Sequence, residues 1–310
     1  MERNKRLSVM GGGLMGCGIA QIFAAKSDWS VRVYDAFVPE AAIKGRVRGN
    51  LALLVEKGVL AEAEADRIVG RVSSATTFEE AAAEADFVIE CVPEEMGLKQ
   101  DLFARLDALA PEAAILATGT SVMSPTEIAS KARRRERIVG THFWNPPYLI
   151  PLVEVVKARD TSEATMDTAV LWLADAGKRP IRCNKDVPGF VANRMQHALW
   201  REAISIVEQG IADAKTVDEA ARLSFGLRLP VLGPLENSDM VGADLTLAIH
   251  NYILSHLENS PEPSPLLRGM AAQGRLGFKS GKGFMDWSEA EIAASRKRLS
   301  DHLVETLYGK

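Results

Sequence analysis

Gly11-Gly12-Gly13-Leu14-Met15-Gly16 follows a short apolar run, Arg6-Leu7-Ser8-Val9-Met10, and opens an apolar stretch with Ile19, Ile22 and Phe23. Glycines at 11, 13 and 16 spell GxGxxG, a pattern that is weak alone and gains meaning between a strand and a helix. Each glycine then has a mechanical task. Gly11 permits a tight turn, Gly13 lets backbone approach a pyrophosphate, and Gly16 lets helix and strand pack closely. The helix N-terminus, with the amides of Leu14 and Met15, presents free N–H groups to the phosphates. A second apolar run ends in Tyr34-Asp35, and Asp35 lies nineteen residues after Gly16, where an acid takes the adenosine ribose hydroxyls. That carboxylate repels a 2′-phosphate, and Ala36-Phe37 offers no arginine to receive one. The pattern points to NAD rather than NADP.

A second group of residues has the chemistry of proton transfer. Of five histidines, His197, His250, His256 and His302 lie in helical stretches, where a solvated or packed ring is the default. His142 instead ends an apolar run, Ile138-Val139-Gly140-Thr141-His142, and Asn145-Pro146-Pro147 then turns the chain. In open α/β sheets the ligand crevice lies at the carboxyl ends of strands. An unperturbed imidazole titrates near neutrality, which suits taking a proton from an alcohol as hydride leaves. Glu154 sits in the next apolar run, Leu152-Val153-Glu154-Val155-Val156, and a lone acid among β-branched residues is costly unless paired. If the chain reverses at the prolines, Glu154 returns beside His142, accepts its second N–H and stabilises the imidazolium. The structural alternative is an outward charge on an edge strand. Ser121 follows the run Ile115-Leu116-Ala117 at another strand end, where its hydroxyl faces the crevice or caps a turn. Asn193, on a helix after Pro188-Gly189, needs a partner that is either substrate or an interdomain group.

The elements that must hold these residues alternate. Short β-branched runs at Leu7–Met10, Val31–Tyr34, Phe87–Cys91, Ala114–Ala117, Ile138–His142, Leu152–Val156 and Pro180–Cys183 are separated by helical stretches, which predicts a parallel sheet with helices on both faces. Beyond Pro188 the strands stop, and Phe190, Val191, Met195, Leu199, Ala203, Ile204 and Val207 recur at helical spacing. The expected fold is α/β, a Rossmann-type dinucleotide-binding domain over residues 1–187 followed by an all-α domain over 188–310. Three prolines in Ser260–Pro265 predict a stiff loop inside the second domain. The 310 residues carry 37 basic against 41 acidic side chains, a net charge of −4, so no basic field addresses nucleic acid. No apolar run approaches the roughly 20 residues of a membrane span, and no secretory leader is expected at the N-terminus. Cys17, Cys91 and Cys183 form neither a disulfide framework nor a metal pattern, which favours a reducing cytoplasm.

Several ordered motifs give the chain a further likeness. Gly11–Gly18, Ile89-Glu90-Cys91-Val92-Pro93-Glu94, Thr120-Ser121, His142-Phe143-Trp144-Asn145-Pro146, Pro151–Val156, Pro188–Arg194, Gly233-Pro234 and Gly281-Lys282-Gly283-Phe284 resemble the 3-hydroxyacyl-CoA dehydrogenase family almost end to end. That family also takes in carnitine and gulonate dehydrogenases and a lens crystallin relative. The resemblance implies an NAD domain, a helical domain that dimerises, and a role in fatty acid metabolism. It implies that His142 and Glu154 form the catalytic pair and that Ser121 and Asn193 hold the substrate's oxygens. It also places Glu94 and Lys99 near the nicotinamide ribose, where charge alone would read them as helix-start residues. The implied reaction is reversible oxidation of a 3-hydroxyacyl-CoA to the 3-oxoacyl-CoA. Some positions depart from acyl-CoA members: Gly119 stands where they carry Asn, and the Asn145–Pro151 and Gly233–Glu236 segments are closer to the carnitine and gulonate relatives. A free 3-hydroxy acid is therefore the alternative substrate, and a non-catalytic NAD-binding structural protein the third reading. Lys44, Arg46, Arg48 and Lys57 either clamp CoA phosphates or form a solvated helix face.

Overall fold

Strands that are apolar on both faces need cover on both sides, and a parallel sheet wrapped in helices provides it. The computed structural model describes residues 4–309. Eight strands form one sheet: β1 (Lys5–Met10), β2 (Trp29–Tyr34), β3 (Val72–Ser74), β4 (Phe87–Glu90), β5 (Ile115–Thr118), β6 (Ile138–Phe143), β7 (Leu152–Val156) and β8 (Arg179–Cys183). Their order is β3-β2-β1-β4-β5-β6-β7-β8. All neighbours are parallel except β6 and β7, which are antiparallel. The four residues of β4 and of β5 are buried without alternation, as central parallel strands require.

From β1 the chain moves outward through β2 and β3, then returns to place β4 on the other side of β1. That reversal opens a crevice beyond the carboxyl ends of β1 and β4. Helix α1 (Leu14–Ala24) starts there, and α2 (Glu40–Glu56) follows β2. Phe23 of α1 packs edge-on against Trp29 of β2 at 4.8 Å, and Trp172 closes the cluster against Trp29 at 5.6 Å. This aromatic core fixes α1, and with it the glycine loop, on the sheet.

Two compact units divide the chain. One runs to Arg194 and takes in the residues from Ser300 onward; the other is Met195–Leu299. The division therefore falls within the helix Ala192–Glu208, whereas the composition shift pointed to Pro188. The last helix, Glu289–Tyr308, begins in the second unit and ends in the first, where Val304 is buried with Leu54 and Leu149. Apart from isolated bridges at Gly277, Lys282 and Asp286, the second unit is helical among the described residues. The proline segment is a loop up to Ser264, but Pro265 begins a helix, Pro265–Ala272. A proline is favoured at a first helical position because it has no N–H to leave unpaired.

Candidate active site

The glycine loop behaves as its spacing demands. Gly11 has φ +117°, and a Cβ there would lie 2.7 Å from the Cys91 carbonyl oxygen. A Cβ on Gly16 would lie 1.9 Å from the Gly11 carbonyl oxygen, so no side chain fits where α1 crosses β1. Gly13 has open space before it and caps α1 without a side-chain acceptor. The first amides of α1, Leu14 and Met15 among them, thus lack intrahelical partners and suit a pyrophosphate. These observations fit a dinucleotide.

Asp35 stands at the end of β2 and does more than the sequence suggested. Its Oδ2 accepts from Gly12 N at 2.7 Å, and its Oδ1 from Phe37 N at 2.8 Å and Val38 N at 3.1 Å. The carboxylate stitches the glycine loop to the turn after β2. An arginine is also nearer than Ala36-Phe37 implied. Arg46, from α2, donates to the Gly12 carbonyl, which also accepts from Cys17 Sγ at 3.2 Å. That guanidinium is committed to the loop's backbone. Of the other cations on α2 and at its C-terminal cap, Lys44 pairs with Glu40, Arg48 with Glu62 and Asp66, and Lys57 with Asp301. The solvated-face reading describes these pairs better than a row of free cations awaiting phosphates.

Glu94 and Lys99 belong to a buried network at the ends of β4 and β5. Glu90, fully buried, accepts from Lys99 Nζ at 2.6 Å, Thr118 Oγ1 at 2.7 Å and Val92 N at 2.8 Å. Burial pushes the Glu90 carboxyl up, against the pull of Lys99, Thr118 and Val92. The Lys99 side chain is only 1% exposed, and its ammonium is held by Glu90 and by the Val92 carbonyl at 3.3 Å. Lys99 reaches the crevice through Glu94, whose Oε2 lies 3.5 Å away. Glu94 in turn accepts from Thr120 Oγ1 and Ser121 N, both at 2.9 Å. Gly119 has a local cause as well. A Cβ there would meet the Glu90 carbonyl oxygen at 2.7 Å, so an asparagine here requires the backbone to shift.

At the far side of the crevice β6 and β7 place His142 directly opposite Glu154. His142 Nδ1 and Glu154 Oε2 are 2.8 Å apart, with both side chains buried. The chain does reverse at the prolines. Lys178, buried just before β8, donates to the carbonyls of Pro147 and Ile150 at 2.6 Å each and so braces that reversal. Glu154 takes three more donors: Trp144 Nε1 at 3.3 Å on Oε2, then Val191 N at 2.9 Å and Ala192 N at 3.0 Å on Oε1. Burial raises the Glu154 carboxyl, yet the hydrogen bonds from His142, Ala192 and Val191 outweigh it and leave the group below the usual carboxylate range. The two amides reach Glu154 because Gly189 and Phe190 adopt φ +77° and +49°. A phenylalanine in the left-handed region costs about 1–3 kcal/mol unless its surroundings hold it. Its ring packs 5.7 Å from the imidazole.

Ser121 and Asn193 come together here too. Asn193 Nδ2 donates to the Ser121 carbonyl at 3.1 Å. Neither the Ser121 hydroxyl nor Asn193 Oδ1 bonds another described residue, and His142 Nε2 is likewise open. The capping serine of this turn is Ser124, which accepts from Glu127 N. The donors from Trp144, Val191 and Ala192 were missed in the sequence; the Gly189-Phe190 turn was the signal that could have located the two amides. No group of His, Cys, Asp or Glu among the described residues could hold a metal ion.

Comparison with known proteins identifies the family. Residues 6–187 match the family model of the 3-hydroxyacyl-CoA dehydrogenase NAD binding domain, and residues 189–287 that of the C-terminal domain. The chain is 41% identical over 288 residues to a probable 3-hydroxybutyryl-CoA dehydrogenase of Bacillus subtilis (strain 168), covering 92% of this chain and 98% of the relative. It is 38% identical over 257 residues to L-carnitine dehydrogenase of Streptomyces griseus, covering 82% of this chain and 74% of the relative. A solved structure of 5-formyl-3-hydroxy-2-methylpyridine 4-carboxylic acid 5-dehydrogenase, an NAD+-dependent dismutase, matches with a TM-score of 0.87 at 31% identity, covering 98% of this chain and 97% of that one. The chain belongs to the 3-hydroxyacyl-CoA dehydrogenase family and is an NAD-dependent oxidoreductase acting on CH–OH groups.

Proposed function

We propose that the substrate is a 3-hydroxyacyl-CoA, oxidised reversibly to the 3-oxoacyl-CoA. The observation that carries the chemistry is the buried 2.8 Å contact between His142 and Glu154. With Nδ1 donating to the carboxylate, Nε2 is left as the acceptor for the 3-hydroxyl proton. Glu154 stabilises the imidazolium that results. The Ser121 hydroxyl and Asn193 Oδ1 orient the substrate's oxygens. NAD, when bound, supplies the hydride acceptor; the amides of Gly13, Leu14 and Met15 hold its phosphates, and Asp35 and Glu94 its ribose hydroxyls. The similarity to the Bacillus subtilis relative supports the CoA thioester. A free hydroxy acid is the second reading, favoured by the ion pairs that occupy the α2 cations and by the likeness to dehydrogenases of free acids. Purified protein with NAD, assayed side by side on 3-hydroxybutyryl-CoA, 3-hydroxybutyrate, carnitine and gulonate, decides between them. Turnover of the CoA ester alone upholds the first reading. Turnover of a free acid, or of none of the four, sinks it.

Cofactor choice gives a separate prediction. Asp35→Ser combined with Ala36→Arg removes the charge that repels a 2′-phosphate and supplies a cation to receive one. The ratio of kcat/KM for NAD to that for NADP is expected to fall toward one or invert. Because Asp35 also holds three backbone amides, NAD affinity should weaken at the same time. Wild-type protein that prefers NADP would contradict the assignment of Asp35.

We further propose a homodimer through the residues after Pro188. The helices between Ala214 and Ile253 bury no residue, while Val231, Leu235 and Tyr252 are 81%, 80% and 75% exposed. Apolar surface on this scale marks an interface, and a second copy covers it with two-fold symmetry. Light scattering at micromolar concentration should return twice the chain mass; a monomer rejects the interface. Cys17, Cys91 and Cys183 are free thiols, which supports a reducing cytoplasm. No helix among the described residues is long and apolar enough to cross a membrane, and the small-molecule substrate requires neither membrane nor nucleic acid.

A further inference from the structure

The imidazole of His142 lies between two aromatic rings, Phe190 at 5.7 Å and Trp144 at 5.4 Å. Phe190 can only pack. Trp144 also carries a donor, and its Nε1 bonds Glu154 Oε2, the oxygen that His142 Nδ1 uses. The remaining oxygen is taken by the amides of Val191 and Ala192. Of the four donors on Glu154, the indole N–H alone belongs to a side chain other than the base itself. A phenylalanine at 144 would supply the same wall without the bond.

We propose that Trp144 is a positioning residue that tunes the proton-accepting pair, an inference that rests on the reading of His142 and Glu154 as that pair. The indole N–H fixes the rotation of the carboxylate and draws off part of its charge. Less negative charge then faces the imidazolium, and the base stays neutral to lower pH. A hydrogen bond to an ionised acceptor is strong at short range; at 3.3 Å this one sits at the weak end, worth a few-fold in equilibrium.

Other titratable groups around the pair do not carry the effect. Cys183, on β8, is pushed up to about 11 by burial and by the charge of Glu154, so it stays a thiol. Lys178 is lowered to about 8 by burial and is held by the Pro147 and Ile150 carbonyls, so it stays charged below neutrality. Burial raises Tyr148, which remains a phenol. The Asp186 carboxylate, on the turn before Phe190, accepts from Ser124 and from Thr126 N at 2.9 Å.

Trp144 is half-buried, so Trp144→Phe should fold. With the substrate that the wild-type enzyme oxidises best, the acid-side midpoint of the kcat profile is expected to move up by about half a pH unit, and the plateau to fall about threefold. NAD affinity by calorimetry and the melting temperature should match the wild type. In the Glu154→Gln background the same ring exchange should shift the midpoint no further, because the charge it modulates is gone. A midpoint unmoved in Trp144→Phe, or moved equally in both backgrounds, overturns the proposal. His142→Asn, measured alongside, separates the two claims. Activity retained in His142→Asn removes the pair itself, whereas an inactive His142→Asn with an unmoved Trp144→Phe midpoint removes only the role of Trp144.

Discussion

His142→Asn is expected to lose about 10²–10⁴-fold in turnover, the usual scale for general acid–base catalysis, while NAD affinity and thermal unfolding stay near wild type. The asparagine keeps some hydrogen bonding and cannot accept the substrate's proton. Glu154→Gln should also cut turnover, for a reason visible in the site. The carboxylate serves donors with both oxygens, His142 and Trp144 on one, Val191 and Ala192 on the other. An amide has one acceptor oxygen, so either the imidazole or the Phe190 turn is left facing an N–H. The double variant should lose far less than the product of the single losses, since residues acting as one unit are non-additive. Oxidation should fail on acidification as the imidazole takes up a proton, and Glu154→Gln should move that midpoint downward, because the anion that stabilises the imidazolium is gone. The measurement is turnover, NAD binding and melting on the same three variants. A His142→Asn enzyme that binds NAD, melts normally and turns over within about threefold of wild type, far short of the general-base effect, would end the assignment.

Much of this arrangement is legible in the chain because local chemistry and global packing agree. The apolar runs that become β1, β2 and β4 to β8 are unmistakable, and the prolines after His142 mark the reversal that returns Glu154 to it. The strand β3 was not foreseen: Val72–Ser74 has three residues, only Val72 of them buried, too short for a period to register. Residues whose role depends on distant partners are the least readable. Lys99 looks like a helix-start cation until Glu90 is seen to share its pocket, and nothing about position 46 announces that its side chain reaches back to Gly12. The amides of Val191 and Ala192 are backbone groups, and only the left-handed Phe190 aims them at Glu154. Trp144 was visible as part of a motif, but its donor acquires meaning only from the oxygen it shares.

The second large effect is expected at the base of the crevice rather than at the reacting atoms. Lys99→Met leaves Glu90 buried with Thr118 and Val92 N as donors and no cation. Removing one partner of a buried pair costs about 3–5 kcal/mol, because a charge is stranded in a poorly polarisable interior. The folded protein limits that loss by protonating Glu90. Burial already pushes this carboxyl up in the wild type, and without the ammonium it must rise further. A carboxyl raised on folding favours the native state below its unfolded value and loses that contribution as pH climbs through its folded value. The deficit of Lys99→Met is therefore expected to be largest near pH 8 and to shrink near pH 5. Glu90→Gln added to Lys99→Met removes the stranded charge and should recover most of the stability at pH 8, leaving only a buried amide to satisfy. NAD affinity is a second readout. Lys99 lies 3.5 Å from Glu94, which holds Thr120 and Ser121 N, so the rescued double variant should fold and still bind NAD more weakly than wild type. Urea unfolding followed by tryptophan fluorescence at the two pH values, with NAD titrations on the same samples, tests both parts. A Lys99→Met protein as stable as wild type at pH 8, or one whose deficit grows on acidification, would show that the Glu90–Lys99 pair is not the charge balance of this crevice.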